Sequence, residues 1–519
     1  MGHSHVTPKA GRPEGPRAEA GGAALAEAFA ALREEFQLAS EYPAPALREA
    51  EAAIADLRLP EADATGVEFV TIDPPSSTDL DQALHIERDG TGYRVRYAIA
   101  DVPAFVRPHG ELDAETRRRG QTVYAPDAKV PLHPHGISDD AGSLLEDAVR
   151  GAFVWDFSLG ADGAVTRVGL ARARVRSRAK LSYAQVQEEI DAGTAVEPLL
   201  LLREVGAKRI ELERARGGAS LNIPDQEIVP TEDGGYRIAA SAPRPVEDWN
   251  AQISLMTGMA AAQLMLDAGV GILRTMPAPD ERSLRHFRRQ TQALGRPWDD
   301  GQAYGEYLRS LDATDPRQLA ILHAAAALFR GAAYTPFDGE LPSERVQAAI
   351  GAPYAHTTAP LRRLVDRFVL VLCEAIANDR EVPDWVRAAL PELPGLMASS
   401  DQLAARVDRA AIDIVEAALL TNRIGHEFDA VVVSGSKPAA DGGGNGGNGR
   451  PAQPLDRIAS SQNGRHANGA AESKPFGTVQ LSEPPVTARC EGEMESGTTI
   501  RVRLVEANVR RRKVLFEKA

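Results

Sequence analysis

The chain has 519 residues, 43% of them hydrophobic and 25% charged, with a formal net charge of −14 and two cysteines, Cys373 and Cys490. This length accommodates about two to four domains, and two distant cysteines make neither a disulfide framework nor a zinc site; both read as buried apolar residues. No run of roughly eighteen apolar residues occurs and the N-terminus lacks the apolar stretch of a signal peptide, so no membrane span or export is expected and the cytoplasm is the expected compartment.

Residues 1–22, rich in Gly, Pro and Ala, predict a disordered lead. Over 23–64 a helical segment is expected, because apolar residues recur at helical spacing over 23–39 and 45–59. Strand patterns occupy 67–72, 82–86 and 93–102, and the turn residues Asp89 to Gly92 predict a hairpin with Asp79 and Asp81 near the base of one strand. Further strands are predicted over 152–159 and 165–175, and helices over 182–192, 197–215, 245–268, 280–294, 317–333 and 361–378. The helix after Glu247, rich in small residues, reads as tightly packed core. Strands mixed with helices in this way predict an α+β domain over 65–423.

From 424 to 519 short alternating strands predict a five-strand barrel of the oligonucleotide-binding type, interrupted by a Gly- and Asn-rich insert at about 435–475 that is expected to be disordered. The last twenty residues hold Arg501, Arg503, Arg510, Arg511, Arg512 and Lys513 against few acids. Phosphate binding is carried by such residues, so a nucleic-acid partner stays open despite the acidic sum.

Two constellations carry chemistry. In TIDPPSSTDLDQA, residues 71–83, an apolar run empties into a turn with three carboxylates, Asp73, Asp79 and Asp81. Carboxylates this close repel, by about 1 kcal/mol per pair in water and about 4 at a protein surface. A hard cation such as Mg²⁺ or Mn²⁺ would remove the repulsion, and the alternative is a solvated Asp-rich turn. In TTAPLRR, residues 357–363, a helix start is predicted with Arg362 and Arg363 in its first turn. Cations there oppose the helix dipole unless an anion such as phosphate sits between them. An Arg362–Asp366 pair is the competing explanation. Asp101 reads as a turn or cap residue, or as one more carboxylate of the cluster. His133 and His135 lie in a Pro-rich loop expected to be exposed, and Arg118, Arg119 and Arg150 as backbone contacts to nucleic acid or as solvated surface.

These segments, with YAIADV (97–102), RRRGQTVYAPDAKVPLHP (117–134) and YAHTTAPLRRLVDRF (354–368), resemble in order the RNB family of exoribonucleases, the catalytic domain of ribonuclease II and ribonuclease R. The resemblance implies an RNB catalytic domain followed by the barrel, with the helical segment standing where ribonuclease II and R carry cold-shock-type barrels. It implies a 3′-to-5′ exoribonuclease on single-stranded RNA that releases nucleoside 5′-monophosphates with Mg²⁺ or Mn²⁺, acting as a monomer. It places Asp73, Asp79, Asp81 and Gln82 on the metal-binding aspartates, Asp81 and Arg362 on the catalytic pair, and Tyr124, Glu247 and Arg363 along the RNA. Gln82 departs from the family's fourth Asp and supplies no charge. This motivates a rival, an RNA-binding protein with a weakened RNB domain in which Gln82→Asp restores turnover. A metal phosphohydrolase acting on small phosphoesters is a third reading.

Overall fold

The computed structural model describes residues 22–39, 41–219, 225–230, 236–241, 244–326, 328–437, 475–481, 484 and 486–519. The expected disordered lead and most of the expected insert lie outside them. The N-terminal segment forms α1 (Gly22–Glu35) and α2 (Ala44–Ala55). Both stop short of their apolar periodicity, α1 where Gln37 turns left-handed at φ 53. Next come β1 (Phe69–Asp73), β2 (Gln82–Asp89) and β3 (Gly92–Ala100). Asp89 pairs with Gly92, leaving a two-residue turn that Gly90 enters at φ 58.

After α3 (Glu111–Arg119), β4 (Val123–Ala125) and β5 (Ala128–Val130) make a small hairpin, and β6 (Val149–Leu159) and β7 (Val165–Ser182) rejoin the first sheet. The order β1-β2-β3-β6-β7 closes as a barrel. Closure depends on β7 running past its predicted end at 175, so that it pairs in parallel with β1 and sets Asp73 beside Ser182. Phe153, Trp155 and Phe157 of β6 are buried in the core that results.

Ser182 then caps α4 (Tyr183–Ala192), its hydroxyl accepting the Gln185 amide. α5 (Glu197–Ala215) leads to the hairpin of β8 (Asp225–Pro230) and β9 (Tyr236–Ser241), and α6 (Pro245–Ala268) follows. The small residues of α6 permit close approach: a Cβ on Gly258 would lie 2.1 Å from the Tyr354 ring. β10 (Val270–Thr275) is buried along its whole length. Beyond it lie α7 (Glu281–Ala293), α8 (Tyr304–Arg309) and α9 (Pro316–Ala326), then β11 (Ala333–Asp338), antiparallel to β10. The helix expected over 317–333 therefore ends early, because Ala333 is taken by Thr275 across this sheet. β12 (Val346–Gln347) and β13 (Ala352–Pro353) form a short pair ahead of α10 (Leu364–Ala377), α11 (Asp384–Ala389) and α12 (Leu393–Leu420).

The C-terminal strands β14 (Glu427–Lys437), β15 (Phe476–Leu481), β16 (Thr487–Glu491), β17 (Thr499–Asn508) and β18 (Lys513–Lys518) close a second five-strand barrel in the order β14-β15-β16-β18-β17. The α+β class and the terminal barrel of oligonucleotide-binding type thus match the sequence reading. The basic tail does not act as a uniform positive surface. Arg501 and Arg503 face Glu427 and Arg512 faces Glu35, acids distant in sequence, while Lys513 faces Glu506 of the neighbouring strand. Both cysteines are buried and free, and no helix among the described residues is long and apolar enough to cross a membrane.

α12 joins the parts. Its stripe of Val407, Ala411, Ile414, Val415 and Leu419 packs against Leu25, Phe29 and Leu32 of α1 and against Val123 and Val130 of the β4–β5 hairpin. Near its end Glu416 is 4% exposed and accepts the Thr487 amide of β16 at 3.2 Å. Burial pushes its carboxyl up to about 7, against the opposing field of Arg409. An acid whose folded pKa is raised loses stability as pH rises from its unfolded value toward 7. Gln keeps the acceptor and removes the charge. Glu416→Gln should therefore be more stable than wild type by up to about 3 kcal/mol at pH 8, shrinking below about 1 at pH 5, read from denaturant unfolding at the two pH values.

Candidate active site

β1 delivers Asp73 at its last position, and the chain must turn back to start β2 at Gln82. Lys180, on the neighbouring β7, holds that turn by donating to the carbonyls of Pro75 (3.0 Å) and Ser77 (2.6 Å). Ser143 Oγ donates to the Thr78 carbonyl (2.7 Å) and accepts the Leu80 amide (2.9 Å). Leu80 is fully buried, which anchors the aspartates on either side of it.

Asp79 receives two partners from the β4–β5 hairpin, Lys129 Nζ at 3.1 Å and the Tyr124 hydroxyl at 3.2 Å. Lys129 also donates to Asp139 at 2.8 Å. Asp81 accepts the Leu361 amide at 2.7 Å through Oδ1, while Oδ2 lies 3.6 Å from Arg362 Nε. The second contact is too long for a hydrogen bond and is Coulombic. The two sequence constellations therefore meet in one place.

The fields agree with this convergence. Burial raises the Asp81 carboxyl well above the ordinary range, with Arg362 opposing. Asp73 is pushed up to about 6, first by burial and then by Asp79, against Arg362 and Lys180. Among the described residues none donates a hydrogen bond to the Asp73 carboxylate. Burial and then Asp79 also raise the Tyr124 hydroxyl.

The register of β1 with β7 places Tyr183 beside Asp73, and burial followed by the Asp73 charge raises its hydroxyl as well. Asn250 Nδ2 of α6 reaches that hydroxyl at 3.2 Å. Glu247, one turn earlier, accepts the Arg244 amide at 3.3 Å and adds to the field on Tyr183. Lys129, Lys180, Tyr183 and Asn250 were not singled out from sequence. Lys129 was legible only as a charge five residues after Tyr124, across a turn whose hairpin pairing was not predicted.

Several expectations need correction. α10 begins at Leu364, so Arg362 and Arg363 precede the helix. Arg362 lies in a turn whose last two amides, its own and that of Arg363, donate to the Ala359 carbonyl, and Arg363 is extended, with Thr122 N donating to the Arg362 carbonyl and Leu364 N to that of Gly120, each at 3.0 Å. Arg363, expected along the RNA, is held by both oxygens of Asp366 at 2.9 and 2.8 Å. Asp366 is thus the partner of Arg363 and not of Arg362.

Gln82, expected as a ligand, donates to the Thr358 carbonyl at 2.6 Å and accepts the Tyr97 hydroxyl at 3.0 Å. Among the described residues no group of three or more His, Cys, Asp or Glu is arranged to hold a metal ion. Of the four expected ligands, Asp73 and Asp79 fit a cation, since one half-buried carboxylate without a donor lies in the field of another. Gln82 is engaged by Thr358 and Tyr97, and Asp81 keeps one oxygen, Oδ2, without a hydrogen bond, 3.6 Å from Arg362.

His133 is buried, not exposed, with Nε2 3.1 Å from the Pro360 carbonyl, and burial holds its imidazole down to about 3, hence neutral. His135 lies on the surface beside Asp139 at 2.5 Å. Asp101 is buried against Arg172 at 2.5 Å, apart from the cluster. Arg118 and Arg119 grip Glu115, and Arg150 meets Asp140.

The chain carries an acid-lined site on one five-strand β-barrel and a second five-strand barrel at its C-terminus. The RNB domain signature matches residues 62–379, and that of the RNase II-type exonuclease C-terminal S1 domain matches 466–519. The chain belongs to the RNB family.

It is 27% identical over 351 residues to the exosome complex exonuclease RRP44 homolog A of Arabidopsis thaliana, covering 64% of this chain and 37% of that protein. With ribonuclease R of Aquifex aeolicus it is 25% identical over 423 residues, covering 77% and 59%. The chain thus spans 37% and 59% of the length of these two relatives. Mycoplasma genitalium RNase R, solved in complex with ribose-methylated single-stranded RNA, shares the fold at TM-score 0.78 and 16% identity, covering 95% of this chain and 78% of that one.

The two neighbouring arginines should separate cleanly. Arg363→Ala leaves the buried Asp366 carboxylate uncompensated and should cost about 3–5 kcal/mol of stability. Arg362→Ala removes one long Coulombic contact while buried Asp81 keeps the Leu361 amide, and should cost less, about 1–3 kcal/mol. Parallel denaturant melts of the two variants decide it.

Proposed function

We propose that this chain is a 3′-to-5′ exoribonuclease that hydrolyses single-stranded RNA to nucleoside 5′-monophosphates. The observation that carries the reading is the meeting of Asp81 with the Leu361–Arg362 segment at the mouth of the first barrel. Arg362 binds the non-bridging oxygens of the scissile phosphate and stabilises the charge that grows on them. Asp81, whose carboxyl burial makes receptive to a proton, orients the attacking water and takes its proton. Asp73 and Asp79 would hold a divalent cation, Mg²⁺ or Mn²⁺, whose chemistry when bound is charge neutralisation and activation of water.

The Tyr124 ring, fixed by its hydroxyl on Asp79, offers a base-stacking face worth about 1–3 kcal/mol. Glu247, beside Tyr183, supplies an acceptor for a ribose 2′-OH. A second reading, an RNA-binding protein with a weakened site, is favoured by Lys129 standing on Asp79 and by the neutral Gln82.

A 5′-labelled oligoribonucleotide, incubated with Mn²⁺ or Mg²⁺ and with EDTA, separates the readings. The nuclease should shorten the strand from its 3′ end only with the metal and spare duplex RNA and DNA. Asp81→Asn and Arg362→Ala should each lower kcat by about 10²–10³-fold. Tight binding of intact RNA without shortening would establish the second reading instead.

A further inference from the structure

We infer that Gln82 is a positioning residue for the segment that carries Arg362, and not a metal ligand; its catalytic consequence rests on the nuclease reading above. A carbonyl oxygen carries no proton, so the Gln82 atom 2.6 Å from the Thr358 carbonyl must be the amide nitrogen. Its orientation is thereby fixed. The amide oxygen then accepts the hydroxyl of Tyr97, a β3 residue 1% exposed, at 3.0 Å. Turning that oxygen toward a cation would strand both a buried hydroxyl and a carbonyl without a partner.

The segment from Thr358 to Arg362 is held group by group. Ser254 Oγ lies 2.8 Å from Thr358 Oγ1, and Asp366 accepts the Ala359 amide at 2.7 Å. His133 Nε2 meets the Pro360 carbonyl at 3.1 Å, and Asp81 accepts the Leu361 amide at 2.7 Å. Gln82 and Asp81 are adjacent at the start of β2, while their partners Thr358 and Leu361 are three residues apart. Two such points fix not only where the segment lies but also the direction in which Arg362 leaves it.

An aspartate at 82 is one methylene shorter and only accepts, so it would face the Thr358 carbonyl with like partial charge. Amide and carboxylate therefore do different work at this position, and Gln82→Asp should impair the site and not restore it.

The test uses the full chain with Gln82→Met, Gln82→Asp and Tyr97→Phe. Met keeps the length and removes both hydrogen bonds, and Tyr97→Phe reports on the same strut should a Gln82 variant fail to fold. Mn²⁺ binding, followed by electron paramagnetic resonance without RNA, should stay within about twofold of wild type in Gln82→Met, whereas a loss of about tenfold or more would identify a ligand and overturn the inference.

Hydrogen exchange over peptides spanning 356–364 should quicken in all three variants, and unchanged exchange overturns it equally. With RNA at saturating Mn²⁺, Gln82→Asp should lower kcat by about tenfold or more. A rise in turnover would overturn the inference. Wild type that degrades no RNA defeats the nuclease reading alone, because the Mn²⁺ and exchange measurements still decide the role of Gln82.

Discussion

The Asp81 carboxylate is the hinge of the structure. One oxygen accepts the amide of Leu361, 280 residues away in sequence, and the other faces Arg362. A carboxylate with an amide donor and a guanidinium within reach tolerates burial that an isolated one does not. Remove that acceptor and the Leu361 amide is orphaned in the interior. Positions that bring strand end and arginine together thus contribute to folding as well as to chemistry, and the site is assembled only when the chain is.

Charge is managed locally in the same manner. The carboxylates at the turn are not left to repel one another. Lys129 stands on Asp79, Arg362 on Asp81, and Lys180 bears on Asp73 while pinning the turn that separates it from the others. Such compensation lowers the cost of gathering acids, and it leaves Asp73 as the member without a hydrogen-bond donor among the described residues. Elsewhere basic residues are held by acids distant in sequence, as between the C-terminal barrel and α1. Net charge was therefore a poor guide to where a phosphate could bind.

What sequence could and could not supply follows from the range of the forces involved. The bounds of α5 and α6 agree with the periodicity of their own residues, because helices are set by neighbours three and four apart. The barrel of β1, β2, β3, β6 and β7 needed the parallel closure of β7 on β1, which no local pattern encodes. α12 went unread behind Pro391, Pro394 and Gly395, although its apolar stripe from Val407 to Leu419 has helical spacing. The acidic cluster and the arginine segment were legible as motifs. The exchange of partners, Asp366 to Arg363 and Asp81 to Arg362, was not, since both arginines stand within one helical turn of Asp366 while Asp81 is remote in sequence.

The hairpin of β4 and β5 shows how far the site extends into the fold. It carries both partners of Asp79, Tyr124 on one strand and Lys129 on the other, yet it is only two short strands, too small to be stable alone. Its buried residues Val123 and Val130 rest on α12, and its turn is tied to α1 through Arg33 and Asp127. α1 and α12 are themselves joined to the C-terminal barrel, α1 by Arg512 with Glu35 and α12 by Glu416 with the Thr487 amide. The geometry around Asp79 is consequently set by packing that begins at the N-terminal helix and ends at the second barrel. For that reason the elements flanking the RNB domain are part of what positions its carboxylates, and not appendages to it.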